Sequence, residues 1–170
     1  MTYGIALCRL AFVAASALTA LPCMAQGMPS TAGETLDGKR VVLADMVRGH
    51  STVLVAGFSR EGGAGSGAWM KAVREDPALA GVAVLQIAML GGAPGFIRGT
   101  IKNGMRKGLS ADEQARFVVL TQDEKLWQKY FDVSVDNDPY VVLIDADGNI
   151  LWHGHGSAAN LEPLLRTALR

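Results

Sequence analysis

The chain has 170 residues, 49% of them apolar, and its sixteen basic side chains balance sixteen acidic ones. That balance gives no electrostatic reason to expect nucleic acid as a partner, and the apolar share is enough for the core of one ordinary domain. No repeat, heptad series or low-complexity tract divides the chain.

Residues 1–25 carry a single charge, Arg9, then an apolar stretch from Leu10 to Leu21 and Pro22-Cys23-Met24-Ala25 ahead of Gln26. This pattern predicts a cleavable secretory signal, because a membrane-spanning helix needs about 20 apolar residues and Ala25 ends the stretch with a small side chain. Lipidation at Cys23 or an uncleaved anchor is the alternative, although Pro22 stands where a lipoprotein signal favours a small residue. The mature protein is then expected to be periplasmic or secreted. Cys8 and Cys23 are the two cysteines, so it would contain neither a thiol nor a disulfide. Residues 26–35 are small and polar and include Pro29, which reads as a flexible lead before a domain at 36–170.

Within that domain, Leu36-Asp37-Gly38-Lys39-Arg40-Val41-Val42-Leu43 sets an Asp-Gly turn between short apolar pieces and predicts an N-terminal hairpin. The run Thr52 to Phe58 is uninterrupted in its apolar character, as a central strand covered on both faces requires. A helix is expected from about Gly65 to Glu75, with Trp69, Met70 and Val73 inward, ended by Asp76-Pro77. Val82 to Met89 reads as a second buried strand. Ile97, Ile101 and Met105 recur every four residues and predict a helix over 94–109, weakened by Gly99 and Gly104. Phe117-Val118-Val119-Leu120 is a third strand, followed by a helix near 122–130. Asp138 to Asp145, the turn Ala146-Asp147-Gly148-Asn149 and Ile150-Leu151-Trp152 predict an antiparallel hairpin. A last helix over about 158–169 places Leu161, Leu164, Leu165 and Leu169 on its inner face.

The order strand, helix, strand, helix, strand, helix, hairpin, helix specifies a three-layer α/β sandwich with a mixed central sheet. Asp138-Pro139-Tyr140, Leu143-Ile144-Asp145 and Asp147-Gly148-x-Ile150 resemble the thioredoxin-like pattern in which a cis proline precedes the fourth main strand. The resemblance implies that Pro139 faces the active turn. In redox members of that superfamily the turn after the first long strand holds a Cys-x-x-Cys pair. Here Ser59-Arg60-Glu61-Gly62-Gly63-Ala64-Gly65-Ser66-Gly67 occupies that place, and without a thiolate the chain cannot run disulfide exchange alone. The stretch from Phe96-Ile97-Arg98 to Gly156, with Phe58-Ser59-Arg60 and Trp69, is also similar to the family of the mitochondrial ATP synthase assembly factor. That resemblance implies an assembly chaperone binding protein subunits rather than a catalyst.

Several sites compete. Arg60 and Glu61 stand where a strand ends and a helix begins, the usual ligand position in α/β sheets, and the glycines after them could leave N–H groups open to an anion. The bland account of the same residues is a flexible loop without chemistry. Gly63-Ala64-Gly65-Ser66-Gly67 lacks the glycine spacing of a dinucleotide site and no phosphate-loop lysine follows it. Ser59 and Ser66 have no local base to activate them. His153 and His155 alternate on a strand and could share a metal only with a third ligand that the neighbouring sequence does not supply, so no metal is expected. Arg98, Lys102 and Arg106 form a stripe at four-residue spacing, read either as a solvated face or as a dock for an acidic partner or an anionic membrane surface.

The resulting expectation is a monomeric, cofactor-free, cysteine-free domain that binds a protein client, including subunits of a membrane complex. Its groove is expected to combine Ser59, Arg60, Glu61, Trp69, Asp138, Pro139 and Tyr140, with backbone pairing to the residue before the proline. The alternatives are a hydrolase or transferase using the glycine-rich turn, with Glu61 or a histidine as base, and an electrostatic membrane-surface binder through Arg98, Lys102 and Arg106.

Overall fold

Four apolar runs make the middle of one sheet in a computed structural model that describes residues 27–135, 137–159 and 161–168. In chain order the elements are β1 (Ala32–Thr35), β2 (Arg40–Val42), α1 (Leu43–Val47), β3 (Thr52–Gly57), α2 (Arg60–Glu75), β4 (Ala83–Met89), α3 (Gly95–Arg106), α4 (Ala111–Ala115), β5 (Phe117–Leu120), α5 (Glu124–Tyr130), β6 (Pro139–Ile144), β7 (Ile150–His155) and α6 (Glu162–Ala168). The expected signal at 1–25 and the inner position Leu169 lie outside the described residues.

The strands form one seven-stranded sheet in the order β2-β1-β5-β4-β3-β6-β7. β3, β4 and β5 run parallel, and the strands flanking them on both sides are antiparallel. Every residue of β3 and β6 is buried, because helices lie over both faces. Period-two alternation sorts their side chains. Val53, Val55, Val84, Val141 and Leu143 pack with Trp69, Met70 and Val73 of α2 and Leu164 of α6. Leu54, Ala56, Ile87, Val142 and Ile144 face the other way, onto α1 and onto Trp127, Tyr130 and Phe131 in and just after α5. Ile101 and Met105 of α3 cover Leu36, Phe117 and Val119. The sequence-derived three-layer sandwich with a mixed sheet and N-terminal hairpin is therefore the observed architecture.

Two boundaries differ most from expectation, besides α6, which begins at Glu162 rather than near 158, and β7, which runs on to His155. Residues 31–35 are not a lead: Ala32–Thr35 pairs with both β2 and β5, and Thr31 is buried. The Thr31 hydroxyl donates to Asp123 at 2.8 Å and accepts from the Trp127 indole at 3.1 Å, which ties this segment to α5. The hairpin turn thus falls between Thr35 and Arg40, with Gly38 at φ +93°, where a glycine carries no Cβ penalty. The second difference is α2, which begins at Arg60 rather than near Gly65 and draws the glycine-rich segment into a helix. The short helices α1 and α4 were not expected, although Ser110 and Glu113 form a reciprocal capping box that starts α4.

Candidate functional site

Phe58, Ser59 and the start of α2 lie at the rim of the sheet where β3 ends and β6 begins, since Gly57 pairs with Pro139. Ser59 caps α2: its Oγ accepts the Gly62 N–H at 3.0 Å and its carbonyl accepts the Gly63 N–H at 2.9 Å. Glycine in a helix interior costs about 1 kcal/mol relative to alanine. Contact explains why some are here. A Cβ on Gly57 would lie 2.5 Å from the Gly63 backbone, one on Gly62 would lie 2.6 Å from the Asp138 carbonyl oxygen, and one on Gly65 would lie 3.0 Å from the Pro139 ring. The helix is seated against the sheet and the proline segment by missing side chains.

This seating removes the anion cradle expected from the glycines. The Gly62 and Gly63 N–H groups are committed to Ser59, while Gly65 and Gly67 lie inside the helix. An enzyme built on that cradle has no structural basis here. Backbone pairing at the residue before the proline is also restricted, because the Asp138 N–H donates to Val135 O at 3.3 Å and its carbonyl abuts Gly62. The Asp138–Pro139 bond is trans, not cis as the superfamily pattern implied.

Of the seven expected groove residues, the structure withdraws three from the surface. Trp69 is 1% exposed and donates its indole N–H to Gly156 O at 2.7 Å, so it braces α2 against the end of β7. Tyr140 is buried too, and its hydroxyl accepts the Ser134 and Val135 N–H groups at 2.8 and 2.7 Å while donating to Val135 O. Pro139 is buried under Gly65. Ser59 is half-buried, while Arg60 and Glu61 are exposed. Asp138 stays partly open and pairs with His155, Nδ1 to Oδ2 at 2.6 Å.

From sequence, His155 is a candidate metal ligand beside His153 or a candidate base. β6 and β7 place it directly across from Tyr140, on whose ring it stacks at 5.3 Å and 24°. Asp138, two residues before Tyr140, then falls within reach on the same side. Among the described residues no group of three metal-ligating side chains forms and no hydroxyl lies within hydrogen-bond distance of His155. The pair is an oriented imidazole with a half-exposed ring. Phe96, at the start of α3, is the other feature missed: it is 88% exposed, and it follows β4 at the same end of the sheet as Arg60.

The basic stripe turns inward. Arg98 donates to Ala93 O at 2.8 Å and Gly91 O at 3.1 Å, Lys102 pairs with Glu34 at 2.7 Å, and Arg106 bonds Leu36 O and, at 2.8 Å, Asn103 Oδ1. Lys102 and Arg106 tie α3 to β1 and the residue after it, and Arg98 ties it to the preceding loop, so these half-buried heads do not form a fully solvated stripe. Among the described residues no helix is long and apolar enough to cross a membrane.

No protein-family model matches the chain, and no curated protein matches it. Solved structures do. The pneumococcal exposed lipoprotein thioredoxin Etrx1 of Streptococcus pneumoniae strain TIGR4 is 19% identical, with a TM-score of 0.52 over 81% of this chain and 98% of that one. BsSco, a member of the Sco family of cytochrome c oxidase assembly proteins, is 15% identical, with a TM-score of 0.55 over 84% and 93%. A thiol:disulfide interchange protein of the thioredoxin family from Chlorobium tepidum TLS is 20% identical, with a TM-score of 0.53 over 85% and 96%. The chain has a thioredoxin-like fold; at these identities the likeness speaks to fold alone.

Proposed function

We propose that this chain is an exported, monomeric, non-redox thioredoxin-like protein that binds a protein client and assists folding or assembly of a membrane complex. The observation that carries the reading is the rebuilt turn. Where a redox relative needs a thiol at the rim, this chain caps α2 with Ser59 and presses its glycines onto Asp138-Pro139, leaving Arg60 and Glu61 exposed. The neighbouring Asp138–His155 pair and the exposed Phe96 add polar partners and an aromatic anchor at the same end of the sheet. Such a mixture of exposed charge and aromatic surface suits a protein partner.

The assembly reading draws on the fold shared with a member of a cytochrome c oxidase assembly family and on the motif resemblance, read from the sequence alone, to the ATP synthase assembly factor family. Export rests on the 1–25 pattern. The test is affinity capture of the exported protein from its own cells after mild crosslinking, comparing wild type with Arg60→Ala by mass spectrometry. A discrete set of membrane-complex subunits lost in the variant is the expected result. No enriched protein, with crosslinking controls working, would overturn the reading.

A further inference from the structure

Arg40, Arg98 and Lys102 are distant in sequence, on β2 and α3, yet they line one depression of about 420 Å³ at the strand edge. Its construction follows from register. Glu34 sits opposite Arg40 on one side and Val119 on the other, so the three form a row across β2, β1 and β5. Arg98 and Lys102, one helical turn apart, close over that row from α3.

Two of the three cations, Arg98 and Lys102, are held in place before any ligand arrives. Two backbone carbonyls fix the Arg98 guanidinium and use two of its five N–H donors, leaving the rest oriented. Lys102 is held by Glu34, its side chain 20% exposed, and Arg40 makes no hydrogen bond or ion pair among the described residues. Three cations and one carboxylate leave a net charge of +2 around the depression. Fixed charges in a concave, partly desolvated setting act more strongly than on open surface.

We propose that this depression binds a phosphate monoester, a dianion matched to that charge, with its oxygens on Arg40 and Arg98. The site is separate from the proposed client rim, since none of its lining residues belongs to it. The group could come as a free metabolite or as a lipid headgroup.

The experiment is an amide NMR titration with glycerol 3-phosphate, and in parallel sedimentation with vesicles of phosphatidylcholine containing phosphatidic acid. Saturable shifts confined to β1, Arg40 on β2, the start of α3 and residues 119–122 are expected. Arg40→Gln, which disturbs no internal bond, should weaken binding about tenfold. Glu34→Gln should tighten it a few-fold by releasing Lys102. Titration without sedimentation assigns a free ester, and sedimentation lost in Arg40→Gln assigns a headgroup; either supports the proposal. No saturable shift and no sedimentation, or binding unchanged in both variants, would overturn it.

Discussion

The α-carbon of Gly62 lies so close to Asp138 that a Cβ placed on it would stand 2.6 Å from the Asp138 carbonyl oxygen. Backbone rather than a flexible side chain forms that wall, so the contact fixes the first turn of α2 to the segment before β6. The same contact fills the space beside the proline that a pairing peptide would need.

Gly62→Ala should therefore destabilise the fold even though alanine is the better helix former. The propensity gain is about 1 kcal/mol, whereas forcing a methyl into a packed backbone contact costs about 1–3 kcal/mol. A net loss of up to about 2 kcal/mol is expected in urea unfolding. Gly67→Ala, whose added carbon meets nothing within 4 Å, should instead gain about 0.5–1 kcal/mol.

Tyr140→Phe should loosen the segment ahead of β6, because the hydroxyl accepts two N–H groups that then lose their acceptor. Faster amide hydrogen exchange at Ser134 and Val135 and a stability loss of about 1–3 kcal/mol are the expected readings. Unchanged exchange at both amides would show that the hydroxyl does not organise this loop.

Much of this arrangement was readable from the chain and part of it was not, for physical reasons. β3, β4, β5 and β6 announce themselves as short apolar runs because both sheet faces are covered. β1, Ala-Gly-Glu-Thr, has no such pattern; its place depends on pairing with β5 and on Thr31 reaching Asp123 and Trp127, all far off in sequence. Gly62 reads as a loop residue, and the role of Gly65 at the expected helix start is hidden, because the groups that exclude their Cβ atoms, Asp138 and Pro139, are far off in sequence. The Arg98, Lys102 and Arg106 spacing was visible, but the carbonyls and carboxylate that draw these heads inward were not. His155 gave no such signal: a regular register carried back from the Asp147-Gly148 turn pairs Tyr140 with Gly154, and only the one-residue irregularity between Leu143 and Ile144 brings His155 opposite Tyr140.

Acid should weaken the fold through Glu113. Hydrogen bonds from the Ser110 N–H and hydroxyl, then from Arg74, lower its carboxyl from 4.5 to about 2. A depressed folded-state value means that the stabilisation is complete above the unfolded value near 4.5 and is lost as pH falls toward about 2. Asp145, bonded by Asn149, and Asp37, bonded by Thr35, are lowered as well and act in the same direction. Glu113→Gln should flatten the acid limb of stability against pH between those values; an unaltered limb would contradict the assignment.

Asp138→Asn and His155→Phe should separate binding from stability. The pair is partly exposed, its side chains 32% and 45% accessible, so either change should alter stability by no more than about 1 kcal/mol. Client retention after crosslinking should nevertheless fall in both. Full retention with intact folding would remove the pair from the docking surface.

The central claim is that the rim around Ser59, Arg60 and Glu61 meets a protein client without a thiol. A photo-crosslinking side chain introduced at Glu61, compared with one at the exposed Lys71 farther along the same helix, tests it most directly. The account predicts a discrete client adduct from position 61 and none from position 71. Equal adducts from both positions, or none from position 61 in cells where the protein is folded and exported, would contradict it.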